Sequence, residues 1–170
     1  MGISLLPKIM CRELPQITPE LLHRRGIRLL MLDFDNTIVP YTTDVPSEKM
    51  RQWLDAMQKT DIQLCVVSNS KKSRVKTFCS EYHLDCITHA KKPFPKGIRE
   101  CLRKYGISPE KAALVGDQIY TDTLGANCMG VTSILVRAIH NHSFWLKARH
   151  VLEIPFIAAA RKRSICNEQS

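Results

Sequence analysis

No apolar run in this 170-residue chain approaches the roughly 18–20 residues needed to cross a bilayer, so a membrane-spanning helix is not expected. Met1 to Met10 holds only a brief apolar patch, broken by Pro7 and Lys8, without the pattern of a secretory signal. The seven cysteines (Cys11, Cys65, Cys79, Cys86, Cys101, Cys128, Cys166) form no C-x-x-C pair, which argues against a structural zinc site. Their odd number, and the place of several within apolar segments, suit reduced thiols in a cytoplasmic protein. There is no internal repeat, no low-complexity tract and no Gly/Ser-rich linker. One domain over 1–170 is therefore expected, with a leader (1–25), a core (about 26–137) and a tail (about 141–170). Acid is in short supply: 16 Asp and Glu face 25 Lys and Arg, for a net charge of +9. That balance favours anionic partners, whether phosphorylated metabolites, acidic lipid surfaces or nucleic acid.

Strands and helices alternate along the chain. Leu29–Leu32, Ile62–Val67, Cys86–Thr88, Ala112–Val115 and Val131–Val136 have strand length and are continuously apolar rather than alternating. Between them, apolar residues recur at helical spacing: Met50, Trp53, Leu54 and Met57 after a Ser47 N-cap, then Val75, Phe78, Cys79 and Tyr82, then Ile98, Cys101, Leu102 and Tyr105. A short helix is expected at Glu20–Arg25, capped by Thr18, and another around Asp122–Met129. This pattern predicts an α/β, three-layer Rossmann-like fold with a parallel sheet of about five strands.

Four of the strand-like runs end in polar residues: Asp33 and Asp35, then Ser68 and Asn69, then Lys91 and Lys92, then Asp117. Each taken singly reads as well as a turn, a helix cap or a solvated lysine. In a parallel sheet, however, the C-terminal strand ends share one edge, where ligands bind. Residues i and i+2 of a strand share a face, so Asp33 and Asp35 are expected to project together. The inventory suits magnesium-assisted phosphoryl transfer. Mg²⁺ takes hard oxygen ligands, here the carboxylates of Asp33 and Asp117 with Asp35 through its backbone carbonyl. Asp33 is then the nucleophile, Asp35 the proton donor and base, and Ser68 and Lys92 the holders of the phosphoryl oxygens. Lys71, Lys72, Arg74 and Lys76 crowd the start of the second core helix, where the helix dipole disfavours cations. Either a nearby anion compensates them or they form a solvated face.

These residues resemble the haloacid dehalogenase-like (HAD) phosphatase superfamily. Asp33-Phe34-Asp35-Asn36-Thr37 matches its D-x-D-x-T motif, Ser68 its second-motif hydroxyl, and Gly116-Asp117 through Asp122 its G-D-x-x-x-x-D motif. Lys92, before Pro93, fits the third-motif lysine, with adjacent Lys91 as the alternative. Ile17-Thr18-Pro19-Glu20, Asp35-Asn36-Thr37 followed by Pro40, and Val115 through Asp122 resemble the YqeG-type subfamily (IIIA). That subfamily is similar to phosphatidylglycerophosphate phosphatases. The resemblance implies Mg²⁺-dependent release of phosphate from a phospholipid head group through an aspartyl phosphate. It also places Asn69 with Ser68 and Lys92 on the phosphate, and Thr37 and Asp122 in supporting positions.

The gaps after Thr37 and Asn69 are too short for a cap domain, so an open site is expected. Phe144, Trp145, Ala148, Val151 and Leu152 share a helical face beside Lys147, Arg149 and His150, a stretch that suits either packing on the core or an anionic membrane. The expected location is cytoplasmic, with a peripheral contact at the inner membrane face. The competing readings are a phosphatase of a nucleotide, sugar phosphate or phosphoprotein, and a non-enzymatic basic module for nucleic acid or membrane.

Overall fold

The computed structural model describes residues 4–70 and 73–139. Its strands, in chain order, are β1 (Ile9–Met10), β2 (Leu29–Leu32), β3 (Gln63–Val67), β4 (Asp85–Ile87), β5 (Ala112–Gly116) and β6 (Thr132–Leu135). The helices are α1 (Pro19–Arg24), α2 (Glu48–Gln58), α3 (Ser73–Glu81), α4 (Lys96–Tyr105) and α5 (Leu124–Cys128). The strands form one sheet in the order β1-β6-β5-β2-β3-β4, and every pairing is parallel.

The five expected strands and five expected helices are all present, and the N-cap readings hold. Thr18 accepts a hydrogen bond from Leu21 N at 3.2 Å and Ser47 one from Met50 N at 3.2 Å. Gly106 ends α4 in the left-handed region that glycine adopts without a Cβ penalty. The leader also supplies a strand that the sequence pattern does not announce. Ile9 and Met10 add a sixth strand against Ile134 and Leu135 of β6. Two residues behind Pro7 are too few to show a periodicity.

Alternation along β2 explains the two layers. Leu30 and Leu32 join a core with Ile17, Leu22, Trp53, Leu54, Val75 and Phe78, under α1, α2 and α3. Leu29 and Met31 face the other way, into a core with Cys65, Ile98, Cys101, Leu114 and Ala126, under α4 and α5. All four residues of β2 are buried, as a strand covered on both faces requires. The Trp53 indole N–H, buried with its ring, donates to Ile17 O at 2.8 Å. Cys65, Cys79, Cys86, Cys101 and Cys128 are free thiols, whereas Cys11 is disulfide-bonded, against its reading as reduced.

Because β3 lies on one side of β2 and β5 on the other, the strand order reverses there, and in open parallel sheets that switch point sets a crevice outside the C-terminal strand ends. Among the described residues no cap domain covers it. The expected amphipathic stretch at 141–170, and Lys71 and Lys72, lie outside the described residues.

Candidate active site

The site begins where β2 stops. Asp33 N still donates to Val115 O (2.9 Å), continuing the ladder with β5, but the chain then turns. Phe34 O accepts from Ile38 N at 3.0 Å, and Asn36 takes the left-handed region at φ 61, which asparagine tolerates better than most residues. The turn folds Thr37 back so that its Oγ1 lies 3.5 Å from both Asp33 Oδ2 and Asp117 Oδ1. The period of two holds only within a strand, and both acids lie past its end. Asp33 turns into the crevice, while Asp35 reaches Arg74 of α3 at 2.9 Å.

On the β5 side, Asp117 follows Gly116 directly, and a π-helical turn (Ile119–Thr123) brings Asp122 back over the strand end. Asp122 Oδ2 accepts from Gln118 N at 3.2 Å. It packs so tightly over Gly116 that an added Cβ there would lie 2.1 Å from Asp122 Oδ2. On the β3–β4 side, Lys92 is the lysine that enters. Its side chain is 1% exposed, and its Nζ lies 2.6 Å from Asp33 Oδ1 and 2.7 Å from Asp122 Oδ1. Lys91, with a left-handed φ of 57, points its side chain to solvent. Asn69, expected on the phosphate, instead directs its amide at the backbone of Lys92. Its Nδ2 donates to Lys92 O (2.9 Å), and its Oδ1 accepts from Lys92 N (2.7 Å). Ser68 is buried beside it and accepts from Ser70 N at 3.0 Å.

Oxygen atoms of Asp33, Asp117 and Asp122 lie within 4.8 Å of one another. Asp35, expected to serve the metal through its backbone carbonyl, brings no carboxylate to this cluster, whereas Asp122, expected in support, does. Three carboxylates and one ammonium leave a net negative charge in a largely buried space. Burial, then the charges of Asp33 and Asp122, push the Asp117 carboxyl well above its ordinary range. Asp122 is pushed up to about 6 by burial, with Lys92 opposing and Asp33 reinforcing. Burial alone would lower the Lys92 ammonium, but the Asp122 and Asp33 carboxylates outweigh it and hold the group charged. A hard divalent cation fits this donor set, since it would supply the positive charge that Lys92 alone does not.

Arg74 is the site residue that sequence reasoning reached only in part. It is held among Asp35, Asp44 (2.9 Å), Tyr41 O (2.8 Å) and the Phe34 ring (5.1 Å). The anion that the crowded helix start called for is therefore, for Arg74, the protein's own carboxylates. Its position in the first turn of α3 was the available signal, while its pairing with Asp35 depends on the turn after β2.

Residues 3–139 match the family model described as mitochondrial PGP phosphatase. The chain is 32% identical over 131 residues to the protein named probable phosphatase YqeG from Bacillus subtilis (strain 168), covering 77% of this chain and 76% of that one. Two solved structures share the fold at low identity. One is the 3-deoxy-D-manno-octulosonate 8-phosphate phosphatase of Yersinia pestis, with a TM-score of 0.54 and 14% identity over 86% of this chain and 90% of that one. The other is the cobalt-bound deoxy-D-mannose-octulosonate 8-phosphate phosphatase of Haemophilus influenzae, with a TM-score of 0.53 and 10% identity over 82% of this chain and 92% of that one. The chain belongs to the mitochondrial PGP phosphatase family and is a HAD-like phosphatase of the YqeG type.

Proposed function

We propose that the protein is a Mg²⁺-dependent phosphomonoesterase that works through an aspartyl phosphate on Asp33, and that its substrate is phosphatidylglycerophosphate. The observation that carries the reading is the convergence on Asp33: Lys92 at 2.6 Å, the Thr37 hydroxyl at 3.5 Å, and Asp117 and Asp122 in one acidic cluster. Asp33, Asp117 and Asp122 are the carboxylates that would hold the ion, with the Asp35 backbone carbonyl a further ligand. Mg²⁺ there would neutralise carboxylate charge that otherwise repels an anionic phosphate.

A carboxylate oxygen of Asp33 attacks phosphorus, the bond from phosphorus to the ester oxygen breaks, and Asp35 gives its proton to that leaving oxygen. Asp35 then takes a proton from water. The water oxygen attacks phosphorus, the acyl-phosphate P–O bond breaks, and inorganic phosphate leaves with Asp33 restored. Lys92 and the Ser68 hydroxyl steady the phosphoryl oxygens throughout, and Asn69 fixes the backbone from which Lys92 extends. The family's name supports phosphatidylglycerophosphate, and the uncapped crevice suits a phosphate borne on a bulky lipid better than a small metabolite needing enclosure.

Phosphate release from an aryl phosphate should need Mg²⁺ and fall at least about a thousandfold in Asp33→Asn. Wild-type turnover by that variant rejects the nucleophile assignment. Rates on phosphatidylglycerophosphate in detergent, against a panel of nucleotides, sugar phosphates and phosphopeptides, test the substrate. A faster rate on any of the latter overturns it.

A further inference from the structure

Single exposed hydrophobic side chains are ordinary on any protein surface, but their confinement to one place is not. Among the described residues the large exposed ones are Tyr41 (52%), Val45 (63%), Phe94 (69%) and Ile139 (37%), and all four lie on segments that adjoin residues of the candidate site. Arg74, the partner of Asp35, donates to Tyr41 O and pairs with Asp44 beside Val45. Phe94 N donates to Lys91 O, next to Lys92, and Ile139 N donates to Asn36 O, next to Asp35. The four sit on three separate segments that share only the C-terminal edge of the sheet.

The same edge carries exposed cations. Arg137 N donates to Arg12 O at 3.2 Å, which sets both arginines past the ends of β6 and β1. Lys91 flanks Phe94 on one side and Lys96, at the start of α4, on the other. Asp44, the acid of the loop carrying Tyr41 and Val45, is paired with Arg74. The rim is thus apolar at its tips and positive around them.

We propose that this rim docks on an anionic phospholipid bilayer. The side chains of Tyr41, Val45, Phe94 and Ile139 enter the interface, and Arg12, Lys91, Lys96 and Arg137 meet the head groups. The inference rests on the lipid-phosphate reading above. The bilayer is preferred to a protein partner because apolar tips beside the candidate site would, under a protein, seal the substrate's way in. A bilayer under the same tips delivers a head group to Asp33.

The test is sedimentation of the full chain with vesicles of phosphatidylcholine alone or mixed with phosphatidylglycerol, read beside turnover of a soluble aryl phosphate. Wild type should pellet with the anionic vesicles and stay in solution with the neutral ones. Val45→Ser/Phe94→Ser should lower its partition tenfold or more while leaving aryl phosphate turnover unchanged, which also reports an intact fold. Lys91→Glu/Lys96→Glu should lower partition by roughly fivefold or more per side chain. Undiminished partition in the serine variant, equal binding to neutral vesicles, or a dimer in solution that Phe94→Ser abolishes would each overturn the proposal. The two readings fail separately. Vesicle binding with no hydrolysis of phosphatidylglycerophosphate sinks the substrate alone, whereas hydrolysis in detergent with rim-independent vesicle binding sinks the docking surface alone.

Discussion

The Arg74 guanidinium lies 2.9 Å from Asp35 Oδ1 and reaches, with its other nitrogens, Asp44 and the backbone of Tyr41. One side chain from α3 thereby sets the rotation of the proposed proton donor and pins the loop that overhangs it. A misplaced acid matters when the leaving oxygen needs a proton and matters little when it does not. Arg74→Gln should therefore slow hydrolysis of an alkyl phosphate by roughly ten- to a hundredfold, while an aryl phosphate with a good leaving group changes by less than about threefold. Parallel losses on both substrates would mean that Arg74 only supports the fold.

Gly116 has a spatial reason that its place in a turn motif does not reveal. A Cβ there would overlap Asp122, which would have to leave its contact with Lys92. Gly116→Ala should lower kcat by at least about a hundredfold and weaken the thermal stabilisation given by Mg²⁺, because a displacement on the order of 1 Å in a catalytic group is enough for such a loss. A variant with wild-type kcat would show that the Asp122–Lys92 pair is dispensable.

The amide of Asn69 holds both the N–H and the C=O of Lys92. Asn69→Ala removes two hydrogen bonds, a stability loss of about 1–3 kcal/mol. Its larger effect should be on kcat, with KM changed less, since Lys92 would lose its fixed origin. A rise in KM alone would return Asn69 to the role of a direct phosphate ligand.

The acidic cluster also fixes a pH dependence. With Asp122 raised to about 6 and Asp117 raised well above its ordinary value, the metal-free fold binds more protons than the unfolded chain. That contribution to stability is complete below an ordinary aspartate pKa and is lost as pH rises through about 6. Mg²⁺ competes with the same protons, so the gain in Tm on adding Mg²⁺ should be larger at pH 7.5 than at pH 5. Equal gains at both pH values would place the ion elsewhere.

What the sequence conveyed, and what it withheld, follow from the range of each interaction. The runs at Leu29–Leu32 and Ala112–Val115 announced buried parallel strands because burial on both faces removes alternation. Thr18 and Ser47 announced helix starts because capping acts within three residues. Asp33, Ser68, Lys92 and Asp117 follow four strand-like runs, and parallel strands bring their ends to one edge. The pairing of Asp35 with Arg74 lies beyond a period of two that applies only within β2. Asn69 facing Lys92, Arg74 facing Asp35, and Asp122 over Gly116 are matters of side-chain direction in turns, which no spacing rule encodes. Ile9 and Met10 were missed because a two-residue strand exists only through its neighbour.

The strand order has one more consequence, for motion. Asp33 follows β2, Asp117 follows β5, and the two strands are paired in the middle of the sheet over four registered positions. The acids of the cluster therefore belong to the part of the sheet with neighbours on both sides, while β1 and β4 lie at its margins. In hydrogen exchange the amides of Met31 and Leu114 should be among the last to open, well after those of Met10 and Cys86. A molecule whose edges have frayed would still hold its acidic cluster together.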